Sequence, residues 1–171
     1  MPDVDGLSRL WAGWRSRYVS EVAGREVSCF LCEIAAIAAA DAVSEGTLVL
    51  ERTAFTLTVM NLYPYGSGHL LIAPLRHEGA LGSLSDDEAA ALMQAQRRAV
   101  AAIEAVYSPE GINLGANLGR AAGAGVPDHI HFHALPRWAG DTNFMTAVAE
   151  TRVIPESLEA GWAKLHAVWP A

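Results

Sequence analysis

Asp128-His129-Ile130-His131-Phe132-His133-Ala134-Leu135-Pro136-Arg137 places three histidines on alternate positions. Successive side chains of a β-strand point to opposite faces, so this spacing predicts a strand with all three imidazoles on one side. Ile130, Phe132 and Ala134 then fall on the other side, where they can anchor the strand to a core. A row of imidazoles on a rigid strand can supply a nucleophile, a proton donor and an orienting group. It can equally bind a metal. A run this dense is hard to justify as packing, because histidine is seldom a core-filling residue.

Working outward, Gly119 to Gly125 is a glycine- and alanine-rich loop feeding the histidine strand. Its backbone amides could cradle phosphates, since small residues permit close approach, or it could be an ordinary connection. Ile112 to Leu118 reads as a strand before it. Ser85-Asp86-Asp87-Glu88 is a capping box opening a long helix, with Leu92, Met93, Val100 and Ile103 as its expected buried stripe and Pro109 and Gly111 as its stop. Upstream, Thr47–Glu51, Phe55–Met60 and His69–Ala73 are β-branched or apolar runs separated by turn residues. Leu7, Leu10, Trp11, Trp14 and Tyr18 fall at helical spacing, a short alanine-rich helix is expected from Glu33 to Val43, and Pro155 to Val168 reads as a final helix. Strands joined by short turns, with one long helix between the third and fourth, predict an α+β fold: an antiparallel sheet of about five strands with the long helix and shorter flanking helices packed on it. We expect one domain over residues 1–171, with N-terminal helices over 1–45, a core over 46–138 and a C-terminal extension over 139–171.

The 171 residues are half apolar and carry a net charge of −7. The composition argues against disorder, and the charge argues against non-specific binding to nucleic acid, which needs a basic face. It leaves room for a small anionic ligand held by a local cluster of donors. The most apolar run, Ile34 to Val43, contains Asp41 and is too short to span a membrane. No signal peptide is apparent at the acidic, arginine-broken N-terminus, so the cytoplasm is the expected compartment. Cys29 and Cys32 are the only cysteines, spaced C-x-x-C. In a reducing compartment the options are half a metal site, a redox pair or two small buried residues.

His129 to Leu135 resembles the signature of the histidine triad superfamily of nucleotide hydrolases and transferases. Asn61-Leu62-Tyr63-Pro64 and Gly68-His69-Leu70-Leu71-Ile72-Ala73-Pro74-Leu75-Arg76 are similar to the other half of that family's site. The similarity runs from about Thr47 to Arg137 and on through Trp138 and Asp141 to Phe144. The Arg-Leu-Trp opening and the Asn-Leu-Tyr-Pro-Tyr segment also resemble its actinobacterial diadenosine tetraphosphate phosphorylase branch.

The resemblance implies a catalytic set of His129, His131, His133 and His69. His131 would be the nucleophile forming a covalent nucleotidyl intermediate, His133 the donor to the α-phosphate or departing oxygen, and His69 the residue that orients the first triad histidine. Asn117 would contact phosphate, as would the backbone at Gly125 and Val126, which stand where many relatives carry Gln, Ser or Thr. Asn61 would hold the ribose, or else simply serve the turn before Pro64. Trp138 would stack on a base, or else pack. Cys29, Cys32, His77 and His129 would form a closed structural zinc site, as in zinc-containing relatives. The implied reaction converts a dinucleoside polyphosphate and inorganic phosphate into two nucleotides, ATP and ADP from diadenosine tetraphosphate. In the alternative, water is the acceptor and AMP is released, from a dinucleoside polyphosphate or from a nucleoside phosphoramidate. A nucleotide- or zinc-binding module with little turnover is the third reading. The implied assembly is a homodimer, formed through the long helix and its adjoining strand.

Overall fold

The computed structural model describes residues 29–36, 43–141 and 154–170. The helix expected around Trp11 and Trp14 lies outside them, as does the match at Phe144. The cysteine pair begins α1 (Phe30–Ala36). This helix starts three residues earlier than its alanine content suggested, because the Glu33 amide already bonds the Cys29 carbonyl.

Five strands follow in an antiparallel sheet: β1 (Val49–Arg52), β2 (Thr56–Met60), β3 (Leu70–Pro74), β4 (Gly111–Ala116) and β5 (Phe132–Arg137), ordered β1-β2-β3-β5-β4. The first begins at Val49 rather than Thr47, since Ser44 caps a tight 3-10 turn over Glu45–Thr47 and Leu48 sits left-handed at φ 57°. The long helix α2 (Asp86–Tyr107) crosses between β3 and β4, and α3 (Leu158–Ala167) closes the described chain. Ser157, not Pro155, starts α3: its side chain accepts from the Ala160 amide.

The alternation of the strands divides the sheet into two faces. One carries Met60, Leu70, Ile72 and Ala134 and is covered by Leu92, Ala95, Ala99, Ala102 and Ile103 of α2 and Leu165 of α3. Each fully buried leucine or isoleucine here contributes roughly 1.5–3 kcal/mol. The stripe differs from the expected one. Met93 is 55% exposed, one residue off the row 92-95-99-102-103, and three alanines let α2 lie close to the sheet. The other face carries Leu57, Val59, Leu71 and Ala73, with Leu31 of α1 packed on it. Because Leu71 pairs with His133 and Ile72 with Phe132, the third histidine lies on this second face, away from the long helix. Among the described residues no helix is long and apolar enough to cross a membrane.

The capping box forms as read: Ser85 accepts from the Glu88 amide and Glu88 reaches back to the Ser85 amide. Glu88 also takes a two-point bond from Arg76, at 2.8 Å to each oxygen, which ties the end of β3 to the start of α2. The Arg76 guanidinium holds the Glu88 carboxyl at about 2. A depressed carboxyl stabilises the fold above its unfolded value near 4.5 and loses that contribution as the pH falls through about 2. Glu88→Gln keeps the cap but removes the charge. It is expected to melt a few degrees below the parent at pH 7, with the gap closing between pH 4.5 and 2. A gap independent of pH would locate the effect in packing.

Candidate active site and metal cluster

Only part of the histidine run is in the ladder. The β3–β5 register pairs Ile72 with Phe132, so Pro74 falls opposite Ile130. Proline has no N–H to continue the pairing. The Ile130 amide instead donates to the Glu78 carbonyl at 2.7 Å and that of His129 to Val126. His129 and His131 therefore precede the strand rather than ride on it, and both are buried. Side-chain bonds to the backbone hold them, and these bonds fix their tautomers.

His129 Nε2 lies 2.9 Å from the Pro74 carbonyl and must carry the proton, leaving Nδ1 as a lone pair. His131 Nδ1 lies 2.9 Å from the His129 carbonyl and is the donor there, leaving Nε2 unprotonated. His69 Nδ1 accepts from the Tyr65 amide at 3.0 Å, so its proton sits on Nε2, which donates to His133 Nδ1 at 2.9 Å. His133 consequently carries its own proton on Nε2. Two neighbouring rings, 5.1 Å apart, thus have opposite character. His131 keeps a lone pair on Nε2 and His133 an N–H. That is the pair a nucleotidyl transfer needs: an attacking nitrogen beside a proton donor.

His69 differs from its expected role. It partners His133, the third triad histidine, while His129 turns toward the cysteines. Tyr65, which the sequence reading did not single out, covers this pair, with its ring 4.7 Å from that of His69. The signal available was the Tyr-Pro-Tyr-Gly turn itself. Gly68 sets the approach: its φ is 70° and an added Cβ would lie 2.5 Å from the Tyr107 ring.

Asn61 serves the turn, accepting from the Tyr63 amide at 3.0 Å, and also donates toward His69 Nδ1. One amide hydrogen and one lone pair remain for a ribose. Gly115 pairs with His133 and Ala116 with Phe132, where the ladder ends, so Asn117 and His131 are the next residues of their segments beyond it. The loop through Gly125 and Val126 returns from Asn117 to His129, Val126 supplying the carbonyl that holds the His129 amide. The Trp138 ring meets Tyr107 edge-on at 6.2 Å, at the end of the long helix.

Cys29, Cys32, His77 and His129 converge, with their ligand atoms all within 4.8 Å of one another. Cys29 Sγ is 3.2 Å and Cys32 Sγ 3.4 Å from His129 Nδ1, and Cys32 Sγ is 3.1 Å from His77 Nδ1. Backbone packing brings the two halves together: a Cβ on Gly79 would lie 2.7 Å from the Pro127 carbonyl, so only glycine lets the His77 turn sit against the chain leading to His129. Two thiols and two imidazoles presenting four donor atoms to one point suit a tetrahedral metal of zinc type. Burial and the neighbouring Cys29 push the Cys32 thiol up to about 11, and burial lowers His129. A bound cation would reverse the first effect by stabilising thiolate.

The HIT domain family model matches residues 42–140. An AP-4-A phosphorylase of Mycobacterium tuberculosis is 36% identical over 167 residues, covering 96% of this chain and 86% of that one. An asymmetrical bis(5'-nucleosyl)-tetraphosphatase of Schizosaccharomyces pombe is 35% identical over 56% of this chain and 52% of its own. Among solved structures, a Zn-bound histidine triad family protein from Mycobacterium smegmatis superposes with a TM-score of 0.63 at 26% identity, over 82% of this chain and 91% of that one. The chain belongs to the HIT domain family and is an enzyme of the histidine triad type, a nucleotide hydrolase or transferase.

Proposed function

We propose that the protein is a dinucleoside polyphosphate phosphorylase that converts diadenosine tetraphosphate and inorganic phosphate into ATP and ADP. The observation that carries the covalent chemistry of this reading is a pair of contacts, His131 Nδ1 to the His129 carbonyl and His69 Nε2 to His133 Nδ1. Together they favour a lone pair on His131 Nε2 and a proton on His133 Nε2. His131 Nε2 attacks an α-phosphorus. The N–P bond forms as the bond to the bridging oxygen breaks, and the proton on His133 Nε2 is shared with that departing oxygen as ATP leaves. His69 holds His133 in the donating tautomer, its own proton placed by the Tyr65 amide. Phosphate then attacks the AMP–His131 adduct, giving ADP and restoring the imidazole.

Asn61 holds the ribose, and Asn117 with the amides of the loop through Gly125 and Val126 holds the α-phosphate. Phosphate as acceptor rests on likeness to the mycobacterial phosphorylase, which spans nearly the whole chain. The likeness to the yeast tetraphosphatase favours the second reading, in which water resolves the adduct and AMP is released. Zinc at Cys29, Cys32, His77 and His129 would serve structure. It would fix the first triad histidine without touching the reacting atoms.

Incubation with diadenosine tetraphosphate, with and without inorganic phosphate, separates the readings. ATP plus ADP only when phosphate is present is the expected result. AMP plus ATP under both conditions would replace the phosphorylase by the hydrolase.

A further inference from the structure

A tetraphosphate substrate carries several negative charges into a chain whose net charge is already −7. The histidines and the loop amides address the α-phosphate and leave the phosphates beyond it without a counter-charge. Most cations of the described residues are committed elsewhere. Arg76, Arg98, Arg137 and Lys164 are paired with carboxylates, and Arg52 and Arg97 donate to Ala35 and Gln94.

Arg120 differs: among the described residues it is the cationic side chain with no hydrogen bond or ion pair, and it is exposed. Its backbone is nonetheless well placed. It opens the 3-10 turn Arg120–Ala122, its carbonyl accepts from the Gly123 amide at 2.9 Å, and it lies four residues beyond Ala116, whose partner Phe132 directly follows His131. The rest of the loop from Gly119 to Gly125 is glycine and alanine. A polyphosphate lying along it meets backbone amides and one guanidinium.

We propose that Arg120 receives the phosphates beyond the α-phosphate, and so sets a preference for long polyphosphate leaving groups over short ones. A guanidinium fork matches two phosphate oxygens at once, which neither the amides nor the imidazoles can do. The proposal rests on the polyphosphate reading above.

The test compares parent, Arg120→Ala and Arg120→Lys on diadenosine tetraphosphate and on adenosine 5'-phosphoramidate, which has nothing beyond its α-phosphate. In Arg120→Ala, kcat/KM for the tetraphosphate is expected to fall about tenfold or more, mainly through KM, while the phosphoramidate changes by less than about twofold. Arg120→Lys should recover part of the loss, keeping charge without the fork. Calorimetry supplies a readout free of turnover: ATP should bind about tenfold more weakly to Arg120→Ala, and AMP unchanged. Equal losses on both substrates and both nucleotides, or no loss on any, would overturn the proposal. A parent protein that turns over the phosphoramidate but no dinucleoside polyphosphate would instead overturn the polyphosphate reading, and would do so before any variant is made.

Discussion

Replacing His131 with alanine is expected to lower kcat by roughly a thousandfold or more while changing the affinity for unreacted nucleotide by less than about threefold. The asymmetry follows from what the side chain contacts. Its Nδ1 is occupied with the His129 carbonyl, and Nε2 is the atom left for chemistry. Deleting the ring removes the attacking nitrogen and one backbone hydrogen bond worth about 1 kcal/mol. The His69–His133 pair and Asn61 remain bonded to one another, so the pocket for the nucleotide persists. Quenched reactions with labelled substrate sharpen the point, because the parent should trap label on protein and the variant should not. Turnover retained by His131→Ala, with no labelled protein in the parent, would mean that water attacks directly and that the histidines act only as donors.

The α+β architecture and the row of His129, His131 and His133 were legible from short-range pattern, while His69 entered only through the family resemblance. The capping box at Ser85 is a local signal that the local geometry honours, whereas of the alternating histidines only His133 lies within a strand. What pattern did not give depends on chain segments far apart. The β3–β5 ladder stops at Phe132, short of His131, because register brings Pro74 opposite Ile130, and no local feature of either segment announces that. The same register sends His69 to His133 and frees His129 for the cysteines. Met93 was misplaced for a different reason. A helical stripe read from large apolar residues overlooks alanine, yet Ala95, Ala99 and Ala102 are the residues that face the sheet.

Metal removal is expected to produce the largest change in stability. Incubation of the purified protein with a strong chelator should lower the melting temperature by about 10 °C or more, given that structural zinc sites contribute on the order of 10 kcal/mol of apparent binding energy. The reason lies in what four inward-facing donors do without a cation. Cys29, Cys32, His77 and His129 bring two sulfurs and two ring nitrogens within 4.8 Å, where thiols make only weak hydrogen bonds. With the metal, the same atoms tie α1, the turn after β3 and the chain leading into β5 at a single point. Cys32→Ser should reproduce the loss and abolish any further response to chelator, which separates a metal effect from a general effect of the reagent. Activity at a temperature well below the lowered transition should fall much less than stability. His129 keeps its bond to the Pro74 carbonyl in either state, and the chain from Tyr65 through His69 to His133 contains no cluster residue. A melting curve that ignores the chelator, in protein shown by elemental analysis to hold no zinc, would leave Cys29 and Cys32 as a reduced, metal-free pair. The positioning of His129 would then fall to Pro74, to the Val126 carbonyl and to the Gly79–Pro127 contact.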